Sequence, residues 1–90
     1  MAKDLNIALL LDFYGELLTE KQRDTIELYY NEDLSLGEIA ETAKITRQGV
    51  RDSIKRGEQQ LLEYEEKLGL AGKFQKYTEL LEKIDNLAND

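Results

Sequence analysis

The sequence predicts an all-α protein of about five helices, and three observations carry that expectation. Its 90 residues include no proline and only 6 glycines, so long helices are permitted almost everywhere. Apolar residues recur at three- and four-residue spacing, while the alternation of a half-buried strand is absent. Two short patterns, "TEKQ" and "SLGE", place a hydroxyl residue three positions before Gln or Glu at the head of an apolar-periodic run, which is how a helix starts.

The first helix is expected from about Asp4 to Leu18. Leu5, Leu9 and Phe13 form one stripe and Ile7, Leu10, Tyr14 and Leu17 the next, an arc wider than one neighbour usually covers. Thr19 to Gln22 opens a second helix through Ile26, Tyr29 and Tyr30, which "NEDL" ends. Ser35 to Glu38 opens a short third helix to about Thr42 or Ala43. Lys44 and Ile45 make a tight connection, and Thr46 is a good cap for a long fourth helix. That helix is expected to reach about Leu68, where "GLAG" (Gly69 to Gly72) ends it. A final helix carries Phe74, Tyr77, Leu81, Ile84 and Leu87. The expected organisation is a single domain over residues 1–90, with a helix-turn-helix core at 35–57 and a helical extension at 58–90.

Composition narrows the function. With no cysteine and no histidine, disulfides, thiolate chemistry, common zinc sites and imidazole catalysis fall away. No cofactor is expected. Carboxylate pairs such as Glu65–Glu66 are read as solvated helix surface, and with no nucleophile–base pair or phosphate loop, a non-enzymatic protein is expected. The cluster "LNIALLLDFYGELL" is interrupted by Asp12 and Glu16 and lacks a cationic leader; neither membrane insertion nor a signal peptide is expected, and a cytoplasmic location is expected.

The net charge is −7, but it is uneven. Between Lys44 and Arg56 there are 5 basic residues against Asp52 alone. This island coincides with the third and fourth helices, whose pattern fits a helix-turn-helix. Leu36, Ile39, Ala40 and Ala43 form the inward face of the support helix, Ile45 plugs the turn, and Val50 and Ile54 anchor the second helix. At about 100° per residue, Gln48, Arg51, Asp52 and Lys55 share the opposite, outward face. They combine groups suited to base edges with cations suited to phosphates. Thr46 and Arg47 lie at the helix start, where phosphate is favoured, and Arg56 extends the cationic set. The candidate nucleic-acid-binding residues are therefore Thr46, Arg47, Gln48, Arg51, Asp52, Lys55 and Arg56.

The stretch "SLGEIAETAKITRQGVRDSIKRGEQQLLE" resembles the helix-turn-helix of region four in bacterial sigma factors. Over more of the chain, "DFYGELLTEKQ", "ELYYNEDLSLGEIAE", "TRQGVRDSIKR" and "LLEYEEKL" resemble the YlxM / p13-type family of bacterial helix-turn-helix proteins. The resemblance spans about Leu11 to Leu68. It implies a sigma-factor region-four-like bundle with a long fourth helix and an added C-terminal helix, without catalytic activity. It also implies a regulatory role or one in the signal recognition particle pathway, the latter from gene neighbourhood with that particle's GTPases. Arg47, Gln48, Asp52, Lys55 and Arg56 match the family's "SRQ…D.IKR" pattern. This chain departs at Thr46, where Ser is usual, and at Arg51, where an aromatic residue is common.

Two functions stand side by side. One is a nucleic-acid-binding regulator whose partner is duplex DNA or the signal recognition particle RNA. The other is an interaction or assembly module that meets proteins of that particle without reading DNA sequence. The apolar arc of the first helix and the stripe of the last exceed what a small bundle buries, so a homodimer is expected as well.

Overall fold

A computed structural model describes residues 3–88; the ends of the expected 1–90 domain, residues 1–2 and 89–90, lie outside the described residues. Five α-helices follow one another: α1 (Leu5–Tyr14), α2 (Glu20–Tyr30), α3 (Leu36–Ala43), α4 (Arg47–Leu68) and α5 (Leu70–Ala88). Among the described residues there is no strand, and no helix is long and apolar enough to cross a membrane.

Local chemistry sets most boundaries. Asp4 caps α1 by accepting from the Asn6 amide at 2.9 Å. Ser35 and Glu38 form a complete capping box, with the Glu38 amide donating to Ser35 Oγ and the Ser35 amide to Glu38 Oε1, both at 3.1 Å. The box expected at Thr19 is only half made. Thr19 Oγ1 accepts from the Gln22 amide at 3.2 Å, but Gln22 Oε1 is turned inward and buried without a hydrogen-bond partner.

Two boundaries differ from expectation. The first helix ends at Tyr14, and Gly15–Leu17 tighten into a single 3-10 turn. Leu18 must leave the helix in extended geometry (φ −79°, ψ 159°) to reach the core, where it is buried. At the other end, "GLAG" is not a four-residue break. Gly69 alone, at φ +63°, turns the chain out of α4, and α5 starts at the next residue. A left-handed residue closing a helix is the usual role of such a glycine.

The long α4 is the spine, and α1, α2 and α3 all pack on it. The core joins Ile7, Leu10, Leu11 and Tyr14 of α1, Ile26 and Tyr29 of α2, Ile39 and Ala40 of α3, and Val50, Ile54 and Leu61 of α4. Burying each large aliphatic side chain stabilises by roughly 1.5–3 kcal/mol. Gly57 is buried where α4 meets α2; a Cβ there would lie 3.3 Å from Ile26 Cδ1. The glycine is thus a point of close helix approach. Tyr29 is buried and Tyr30 half-buried, edge to face at 5.3 Å, with the Tyr30 hydroxyl donating to Glu58 at 2.7 Å.

The first helix spends most of its wide apolar arc on this core, with Leu9 and Phe13 packed at its margin. The apolar surplus expected on both terminal helices therefore lies mainly on α5.

Candidate nucleic-acid interface

The short α3 hands the chain to α4 through Lys44, Ile45 and Thr46. Lys44 takes the left-handed conformation (φ 59°) that turns the chain out of α3. The Ile45 amide then donates to Ala40 O at 3.1 Å, and the Ile45 side chain packs half-buried against the core. Thr46 Oγ1 accepts from the Gly49 amide at 3.0 Å, closing the N-terminus of α4. Val50 and Ile54 are fully buried one and two turns on. Their burial fixes which side of α4 faces solvent.

All seven candidate residues are exposed, but they do not form a single row. Gln48, Arg51, Asp52 and Lys55 share the outward face, opposite Val50 and Ile54. Gln48 Nε2 donates to Asp52 Oδ1 at 2.9 Å, which orients the amide and leaves its oxygen as an acceptor. Such a Gln–Asp pair offers both acceptors and donors of the kind that read base edges.

Arg47 leaves this row and folds back over α3. A Cβ on Gly37 would lie 2.8 Å from one of its guanidinium nitrogens, so the absence of a side chain at Gly37 makes room for Arg47. Ser35, Glu38 and Glu41 line the same hollow, placing this cation among acids. Arg56 lies on the other flank, in a shallow groove between α4 and the start of α2. Thr19, Lys21, Gln22, Gly49 and Asp52 share that groove.

Lys21 is the cation that sequence reasoning missed. It lies 35 positions before Arg56, and only the packing of α2 on α4 brings the two to one groove. The Thr46 hydroxyl, occupied as an acceptor in the cap, still has a proton to donate.

A family model described as "Putative helix-turn-helix protein, YlxM / p13 like" matches residues 1–90. The chain belongs to this UPF0122 family. Among its UPF0122 relatives, the protein of Desulforamulus reducens is 59% identical over 81 residues, 90% of this chain and 69% of the relative. The relative in Oceanobacillus iheyensis is 52% identical over 88 residues, 98% of this chain and 84% of its own length. One from Bacillus cereus is 50% identical over 90 residues, 100% of this chain and 82% of the relative. In this UPF0122 protein, α3 and α4 supply a short helix, a three-residue turn and a long second helix.

Proposed function

We propose that this UPF0122 protein is a non-enzymatic, cytoplasmic nucleic-acid-binding regulator, and that the outward face of α4 is its contact surface. One observation carries the reading. In a chain of net charge −7, Arg47, Arg51, Lys55 and Arg56 are exposed on one helix, held by a three-residue turn on a short support helix. Arg51 and Lys55 would take phosphates, and Gln48 with Asp52 would meet base edges. Duplex DNA suits a helix that enters a major groove. The RNA of the signal recognition particle, suggested by the family resemblance, would be met by shape and phosphate contacts.

A protein-assembly role within that particle's pathway is the second reading, favoured by the exposed apolar side chains of α5.

Fluorescence anisotropy with labelled duplex DNA and with that RNA separates these readings. The double variant Arg51→Ala/Lys55→Ala is expected to lose at least about tenfold in affinity and to flatten the salt slope by about 2. Its melting temperature should stay within a few degrees, because both side chains are exposed. Unchanged binding in the double variant would remove α4 as the interface. Absence of binding to either nucleic acid would favour the assembly role.

A further inference from the structure

Exposed apolar surface is concentrated on α5. Phe74, Tyr77, Leu80, Leu81, Ile84 and Leu87 are each more than half exposed, Leu87 by 76%. Ala71 is the buried residue of this helix, and Phe74 meets Phe13 edge-on with ring centroids 5.5 Å apart. Beyond that contact α5 runs out from the body. The molecule measures 57 × 25 × 20 Å with a radius of gyration of 16.5 Å, whereas a compact chain of this length has about 12 Å. A lone helix of this size is marginal in water, so order along α5 requires a surface over its stripe.

The charges identify that surface. Residues 70–78 contain Lys73 and Lys76 and no acid, while residues 79–88 contain Glu79, Glu82 and Asp85 against Lys83 alone. This order opposes the helix's own macrodipole, which favours acids at the N-terminus and bases at the C-terminus. Beside an identical helix running the other way, each basic half lies along an acidic half. We propose that α5 is a self-complementary dimer interface, packed antiparallel against the α5 of a second copy.

The apolar spacing fits the same arrangement. Phe74, Tyr77, Leu81 and Ile84 alternate three- and four-residue steps, the seam of a helix pair. Antiparallel packing centred near Glu79 places Phe74 opposite Ile84 of the second copy, and Tyr77 opposite Leu81. Each of the six exposed side chains leaves on the order of 100 Å² uncovered, so the stripe offers roughly 600 Å² toward the ~800 Å² per partner of a standard interface. The inference stands apart from the nucleic-acid reading, because it uses none of the α4 face.

Sedimentation equilibrium tests the dimer first. The chain is expected at twice its 10.4 kDa mass, and Leu81→Glu at the single mass with an unchanged helical melt of the body, since Leu81 is 64% exposed. A monomeric parent chain overturns the proposal, as does a Leu81→Glu variant that remains a dimer. Orientation is tested by thiol cross-linking, which is clean because the chain has no cysteine. Phe74→Cys mixed with Ile84→Cys should yield a mixed disulfide, identified by mass, while neither variant cross-links alone. Self-cross-linking at either position indicates parallel helices and also overturns the proposal.

Discussion

Glu65 is the residue on which the corner between α4 and α5 turns. Its Oε1 accepts from the Tyr14 hydroxyl at 2.6 Å and the Ala71 amide at 3.1 Å, and its Oε2 accepts from the Gly72 amide at 3.1 Å. The Leu70 amide donates in turn to the Tyr14 hydroxyl at 3.0 Å. One carboxylate thus satisfies orphan amides in the first turn of α5 and ties that turn to α1. Its neighbour in sequence, Glu66, is exposed. The pair Glu65–Glu66 reads as solvated surface along a straight helix; the difference arises only because the turn at Gly69 brings the first amides of α5 to one of them. The Tyr14 bond holds the Glu65 carboxyl below its usual range, with desolvation opposing and the two amides assisting. Burial, then the bond to Glu65, raises the Tyr14 hydroxyl. A depressed folded-state value means that Glu65 contributes fully above the ordinary carboxylate range, and the contribution is lost as pH falls through the depressed value. Glu65→Gln should therefore melt lower than the parent at neutral pH, with the gap narrowing in acid. Glu66→Gln, which changes an exposed side chain, should leave the melt at neutral pH close to the parent's.

At the scale of elements, what could be read from the sequence was what is local. Ser35–Glu38 and Thr46 are caps because a hydroxyl three residues before an amide can reach it whatever surrounds them. The end of α1 was not legible, because it is set by Leu18 turning into a core built from other helices. Nor was the start of α5, which depends on Glu65 meeting amides across the turn at Gly69. The seven candidate residues were legible as an outward row with Thr46, Arg47 and Arg56 beside it, but not the neighbours that those flanking cations meet. Arg47 leans on Gly37 of α3, and Arg56 shares a groove with Lys21 of α2. Two substitutions probe the elements that aim α4. Thr46→Ala removes the cap and should lower unfolding free energy by about 1 kcal/mol, while Thr46→Ser keeps the acceptor and should leave it unchanged. Gly57→Leu forces atoms into the α2–α4 contact at Ile26 and should lower it by about 1–3 kcal/mol. Urea titrations with a common slope measure both.

For the whole molecule, charge and shape act together. Residues 1–34 hold 8 acids against 3 bases and residues 58–90 hold 8 against 4, so the basic island of α4 is bracketed by acidic surface. How far that surface is felt depends on screening. At physiological salt the Debye length is about 8 Å, short beside the molecule's 57 Å extent, so a bound polyanion would feel little beyond the α4 face. At about 0.01 M salt it grows to ~30 Å and much of the net charge of −7 would repel the same ligand. Contacts to phosphate strengthen as salt falls, because counterions are released. The two effects oppose each other only at low salt. If the α4 face binds nucleic acid, a plot of log affinity against log salt should be steep and straight near physiological salt and bend toward a plateau below it. Glu63 and Glu66 are exposed on α4 roughly 12–16 Å along the axis from Lys55, outside the physiological screening length. Glu63→Gln/Glu66→Gln should leave affinity at physiological salt unchanged and raise the low-salt points, straightening the plot. An equal gain at both salts would mean that these acids touch the ligand, and that the interface reaches further along α4 than the basic island.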